Sequence, residues 1–170
     1  MTSKNMIDAL NKQVNAELYS AYLYLSMSAY YEHVGLRGFA HWMRLQAQEE
    51  LNHAMRFYNF INDRDGQVIP AAIDQPPHEW ESPLQAFEEA LAHEKKVSRL
   101  IYDLVDIAIS ERDHSANTFL QWFVNEQVEE EATAKEIIDK IKMVHKDQSG
   151  LFLIDQELAS RQAESEGGES

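Results

Sequence analysis

The sequence predicts an all-α protein: a four-helix bundle with a long crossover between its second and third helices and a short fifth helix at the C-terminal end. Three observations lead there. Gly and Pro are scarce, six and four, and they gather at three internal breaks and in the tail. The long stretches between the breaks are rich in Ala, Leu, Glu, Gln and Met, all good helix formers. The links alternate short, long, short, which sets up two antiparallel hairpins joined by a segment able to run the length of a bundle.

Taken in order, α1 is expected over 4–33 and is stopped at Gly35. The α2 helix follows over 37–63 and ends before Gly66. The connection beyond it carries Pro70, Pro76 and Pro77 and is too long for a tight turn. Ser82-Pro83-Leu84-Gln85 then reads as a helix start for α3 over 83–110: an N-cap serine, proline in the first turn and glutamine three residues after the cap. A short link leads to α4 over 114–145, with Gly150 as the next break, and α5 is expected over 151–162. Residues 1–162 thus make one domain, with 163–170 a polar tail expected to be disordered. The alternative is an irregular orthogonal array of the same four helices.

Charge narrows the function classes. Fifteen Lys and Arg stand against 29 Asp and Glu, a formal charge of −14, which repels phosphate backbones and anionic lipid surfaces and favours cations. Nucleic acid and membrane are therefore not expected partners. The absence of cysteine excludes disulfides, thiolate zinc sites, iron–sulfur clusters and a cysteine nucleophile within this chain. No apolar run is long enough for a membrane helix, and the N-terminus lacks a signal-peptide pattern, so a soluble, cytoplasmic protein is expected.

Most information comes from a 4,3,4,3 seam laid along each helix. The seam of α1 is Leu10, Val14, Glu17, Ala21, Tyr24 and Ser28; that of α2 is Phe39, Met43, Gln46, Glu50, His53, Phe57 and Phe60. In α3 it is Leu84, Phe87, Leu91, Glu94, Ser98, Ile101 and Val105; in α4 it is Ala116, Leu120, Phe123, Gln127, Glu130, Ala134, Ile137 and Ile141. Each seam is largely apolar, and each carries one mid-helix glutamate: Glu17, Glu50, Glu94 and Glu130. Mid-helix positions share one level of a bundle, so these carboxylates are expected to converge. His53 lies one turn after Glu50 on the same face, and Gln127 one turn before Glu130.

Four buried carboxylates repel one another, and each costs several kcal/mol to desolvate. Protonation relieves that cost, and so do cations. Oxygen ligands with one imidazole suit iron or manganese, and zinc less exclusively; two divalent ions balance four carboxylates. A single E-x-x-H proves little. A second copy, Glu111 to His114, falls at the α3–α4 break and reads as surface. Beside the seam lie Glu49, Glu126 and Glu129, which spacing alone leaves as either a solvated face or a looser third cation site. Tyr24 and Trp122 read first as core aromatics. The other histidines (His33, His41, His78, His93, His114 and His145) read as surface or capping groups, and Met27, Met43 and Met55 as core filling.

At these residues the chain resembles the haem-free bacterial ferritins. The likeness spans nearly all of it: five helices in order, the long crossover, and the motif Glu17, Tyr24, Glu49-Glu50-x-x-His53, Glu94 and Glu126-Gln127-x-Glu129-Glu130. Bacterioferritins differ by a second E-x-x-H on α4, where this chain has Gln127-x-x-Glu130. They also carry a haem-binding methionine where this chain has Leu51. Rubrerythrins need cysteines. Animal ferritins place acids near the start of α4, where this chain reads Asn117-Thr118-Phe119-Leu120.

The resemblance implies a di-iron ferroxidase centre without haem. Glu17, Glu50 and His53 would hold the first iron; Glu50 would bridge; Glu94 and Glu130 would hold the second, with Gln127 as a hydrogen-bonding neighbour. Glu49, Glu126, Glu129 and Glu130 look like a third iron site, Tyr24 like the tyrosine that gives an electron, and Trp122 like a nearby aromatic. Fe(II) and O2 would be the substrates. The oligomer implied is a hollow homo-oligomeric shell of 24 subunits, closed at its four-fold contacts by α5 and filled with ferric mineral. The apolar start of α5, Leu151 to Ile154, independently suggests a buried or partner-facing surface. Two rival readings are a di-metal oxygenase or peroxide-reducing enzyme on the same bundle, and a helical interaction module without metal.

Overall fold

At the starts of four of the five helices, the side chain of the N-cap residue satisfies a free backbone N–H. The computed structural model describes residues 2–164. It contains α1 (Lys4–His33), α2 (Arg37–Asp63), α3 (Pro83–Ser110), α4 (His114–Val144) and α5 (Gln148–Ala159), with no strand among the described residues. Ser3 caps α1 by accepting Met6 N–H at 3.0 Å. Ser82 caps α3 by accepting Gln85 N–H at 3.1 Å, while Gln85 Oε1 accepts Glu81 N–H at 2.6 Å. Asp113 caps α4 through Ala116 N–H at 3.0 Å. The turn after α1 uses Gly35 at φ +82°, a left-handed conformation that suits glycine.

The first three helices have the expected bounds. The fourth stops one residue early, and the fifth begins at Gln148 and ends at Ala159 rather than spanning 151–162. Gly150 is therefore inside a helix and not a break. Asp147 caps α5 by accepting Ser149 N–H at 3.0 Å. Gly150 lets the two helices approach, since a Cβ there would come within 2.5 Å of Val144 Cγ1. The end of α5 is docked by Asp155, a buried carboxylate that accepts Phe39 N–H at 3.0 Å at the start of α2. Gly38 makes room there, because a Cβ would fall 1.7 Å from the Asp155 carbonyl oxygen.

Two apolar layers form the core. One includes Met27, Tyr31, Phe39, Met43, Phe87, Ile137 and Ile141, with Ile154 and Leu158 of α5. The other includes Met6, Leu10, Phe57, Ile61, Ile101, Leu120 and Phe123. Every long helix contributes to both layers, and it passes from one to the other through its seam glutamate. The order of crossing shows the topology: α1 and α4 run one way, α2 and α3 the other. The connection over 64–82 therefore carries the chain back along the bundle, as the long crossover requires.

All eight seam residues of α4 are buried, as are most of those on the other helices. Two expectations fail. Met55 is 43% exposed, because it lies off the α2 seam, while Met27 and Met43 are fully buried. His93 is not a surface group: it turns inward between α3 and α1, where its Nε2 lies 2.7 Å from Ser20 Oγ. Of the apolar start of α5, Ile154 docks on the bundle whereas Phe152 and Leu153 are exposed. The expected polar tail lies, from residue 165 on, outside the described residues. No helix among the described residues is long and apolar enough to cross a membrane.

Candidate metal centre

The polar layer between the apolar ones contains Glu17, Glu50, Glu94 and Gln127, each at most 3% exposed, with His53 at 5% and Glu130 at 8%. Glu50 and His53 sit one helical turn apart, and His53 Nδ1 lies 3.3 Å from Glu50 Oε2. The His53 ring is wedged edge-on against Trp122 and Phe123, at centroid distances of 5.4 and 5.9 Å, which limits its rotation. The Arg56 guanidinium lies over the Trp122 ring, 3.8 Å from its centre.

Three amides and a phenol orient the carboxylates. Gln13 Nε2 donates to Glu17 Oε1 at 2.8 Å. Gln46 Nε2 donates to Glu130 Oε2 at 2.6 Å and to Glu50 Oε1 at 3.2 Å. Gln127 Nε2 donates to Glu94 Oε2 at 3.0 Å, and the Tyr24 hydroxyl donates to Glu94 Oε1. Gln13 and Gln46 stand four residues before Glu17 and Glu50, so i,i+4 spacing was a legible signal for both. One oxygen, Glu17 Oε2, is buried without a hydrogen-bond partner among the described residues. An orphaned carboxylate oxygen aimed into a polar layer is what a cation ligand looks like before the cation binds.

Ligand atoms from Glu17, Glu50 and His53 all lie within 4.8 Å of one another. The same holds for Glu50, Glu94 and Glu130, and for His53, Glu126 and Glu130. Glu50 thus belongs to two adjacent groups. Hard carboxylate oxygens with one imidazole fit iron, and the donor set is chemically consistent with it.

Electrostatics point the same way. Burial pushes the Glu17 carboxyl well above the usual range, and the Glu50 charge adds to the push. Burial also raises Glu50, with further repulsion from Glu94 and Glu130. Glu130 is raised by burial, then by Glu94 and Glu49. Glu94 is raised less, because bonds from Tyr24 and Gln127 stabilise its charge. Burial beside Glu94 also raises the Tyr24 phenol well above its ordinary value, keeping it protonated as a donor. Without cations the layer holds protons; with cations it has reason to release them.

The flank is graded. Glu49 is 8% exposed, Glu126 is partly buried with Oε1 3.9 Å from His53 Nε2, and Glu129 is exposed and outside all three groups. Burial raises both Glu49 and Glu126. The second E-x-x-H lies apart: Glu111 accepts bonds from Ser3 Oγ at 2.5 Å and Asn5 Nδ2 at 2.8 Å, tying down the N-terminus, and His114 is exposed. Arg161, which reaches this flank from beyond α5, had no sequence signal.

A single-crossover helical bundle with a buried layer of carboxylates and one imidazole defines a four-helix-bundle protein with a candidate metal centre. The ferritin-like domain family matches residues 7–144, and the chain belongs to the ferritin family. It is 47% identical over 161 residues to a bacterial non-heme ferritin of Bacteroides fragilis, spanning 95% of this chain and 100% of that one. A bacterial non-heme ferritin of Staphylococcus saprophyticus is 40% identical over 161 residues, spanning 95% and 96%. Among solved structures, an open pore ferritin of Archaeoglobus fulgidus is 49% identical with a TM-score of 0.94, covering 95% of this chain and 100% of that one. A humanized archaeal ferritin is 48% identical with a TM-score of 0.96, covering 97% and 100%.

Proposed function

We propose that the protein stores iron, oxidising Fe(II) with O2 at paired positions inside each subunit and depositing ferric mineral within a hollow shell of 24 copies. The observation that carries this reading is the sharing of Glu50 between the Glu17–His53 group and the Glu94–Glu130 group. A carboxylate common to two adjacent ligand groups holds two ions side by side, close enough for one O2 to take electrons from both.

Iron is substrate and cargo here, and no haem is involved. Glu17, Glu50 and His53 bind the first ferrous ion, Glu50 bridges, and Glu94 with Glu130 binds the second. Gln127 and Gln46 hold the carboxylates in place through their amide hydrogens. Two ferrous ions neutralise four carboxylates, and the protons displaced from the raised carboxyls become available for the reduced oxygen. Tyr24, bonded to Glu94, gives an electron, and Trp122 packs edge-on against His53 at the other end. Glu49, Glu126, Glu129 and Glu130 form a looser third position. The exposed Phe152 and Leu153 of α5 suit a contact between copies. The setting is the cytoplasm.

Stopped-flow iron oxidation on the assembled protein tests this. Glu17→Ala should slow the fast phase by about tenfold to a hundredfold while sedimentation still reports a particle near 24 subunits. Unchanged oxidation kinetics would remove Glu17 from the centre, and a wild-type monomer or dimer would remove the shell.

A further inference from the structure

The chain beyond α5 returns to the metal centre. The carbonyl of Arg161 accepts Nε2–H of His41 at 2.8 Å, which anchors its backbone on α2. Its guanidinium donates to the Trp42 carbonyl at 3.0 Å and lies 4.3 Å from the Trp42 ring centre. It also donates to Gln46 Oε1 at 3.1 Å. The same nitrogen, Nη2, comes within 2.9 Å of Glu49 Oε1, and the two side chains are only 19% and 10% exposed.

These contacts differ in kind. The bonds to Trp42 and Gln46 are aligned. The approach to Glu49 is close, yet it is not aligned as a hydrogen bond, and Glu49 Oε1 is left buried without a hydrogen-bond partner. The guanidinium therefore neutralises Glu49 by proximity and not by a directed bond, a hold that another cation can take over. Arg161 also takes the carbonyl end of the Gln46 amide, which turns the amide hydrogens toward Glu130 and Glu50. The tail carries on across the flank, where the charge of Glu164 bears on both Glu49 and Glu126.

We propose that Arg161 is a tethered competitor for the third cation, occupying Glu49 until an incoming ion displaces its guanidinium. The paired positions use none of the oxygens that Arg161 touches, so they fill first. The third position fills last, and its affinity is set by what it costs to move Arg161. This rests on the third-position reading above. Arg161 acts through Glu49 and Gln46 and is a positioning residue.

The test is calorimetric titration of the assembled protein with Zn(II), which is redox-inert, and with Fe(II) under anaerobic conditions. Wild type should bind a third, weaker ion per subunit, and Glu49→Gln should lose it. Arg161→Gln should bind that ion roughly tenfold more tightly, while the pair, which Arg161 reaches only through Gln46, changes by less than about threefold. Arg161→Lys, which keeps the charge, should stay within about threefold of wild type. His41→Gln, which frees the Arg161 backbone, should tighten the third ion in the same direction, and it serves if Arg161→Gln does not assemble. If Glu49→Gln loses the third ion while Arg161→Gln and His41→Gln bind it as wild type does, the competitor role is wrong and the third position stands. If wild type and Arg161→Gln alike bind only two ions, the third position falls and this proposal with it.

Discussion

Phe57 and Glu50 lie within two turns of one another on α2, and both are essentially inaccessible to solvent. Their energetics are opposite. Phe57 stacks on Phe123 at a centroid distance of 4.1 Å inside an apolar layer, where burial is favourable. Glu50 is surrounded by Glu94, Glu130 and Glu17, where burial costs free energy unless protons or cations neutralise the group. The two apolar layers carry the stability, and the polar layer between them is held in an unfavourable arrangement by that surplus. A site of this kind is ready for cations because its neighbours, and not its own residues, keep it assembled.

The comparison is broken most severely from the apolar side. Phe57→Ala should cost about 3–5 kcal/mol in denaturant unfolding of the metal-free protein. Glu50→Gln, at equal burial, should instead stabilise the metal-free protein at neutral pH by about 1–3 kcal/mol, since it removes a group that the layer must either protonate or bury as a charge. A loss of stability in Glu50→Gln comparable to that of Phe57→Ala would mean the polar layer contributes to the fold after all.

pH sharpens the same contrast. Glu17, Glu50, Glu94 and Glu130 have folded-state pKa values above the ordinary 4.5, so the folded state binds more protons than the unfolded chain. Their contribution to stability is fully present below about 4.5 and is lost as pH rises through the raised values. Metal-free protein should therefore lose melting temperature as pH rises from 5 toward 8, less steeply in Glu50→Gln, and Zn(II) should remove the decline. His93 runs the other way, because burial lowers its pKa from 6.5 to about 4. Its contribution is present above 6.5 and lost as pH falls toward 4, and His93→Gln should flatten that acid limb. The smallest effect is far from either layer: Ser82→Ala removes the α3 cap and should cost about 1 kcal/mol in the same unfolding assay.

Much of this was legible in the chain. The scarcity of Gly and Pro outside the breaks located α1, α2 and α3 to the residue, and the Ser82-Pro83-x-Gln85 start signal is realised, with the Gln85 side chain accepting from Glu81 N–H, one residue before the cap. The seam glutamates stood out because an amphipathic helix exposes its period in the sequence, and a polar residue on the apolar stripe violates that period. Where local signals were ambiguous, reading failed. Gly150 looked like a break and is a close approach between helices. His93, one residue before Glu94, falls off the seam by a third of a turn; only the neighbouring α1, through Tyr19, Ser20 and Tyr24, turns that position inward.

By itself, the sequence determined the four long helices, their pairing and crossover, and the convergence of Glu17, Glu50, Glu94 and Glu130 with His53. All of these follow from periodicity and link length, which are local properties of the chain. Tertiary structure alone decided which carboxylates are shared between groups, which amides orient them, and that Arg161 lies against Glu49 across 112 positions of sequence. Contacts of that kind have no period and no spacing rule. They depend on how α5 leaves the bundle, and that angle is set by Asp155, Gly38 and Gly150 acting together in space.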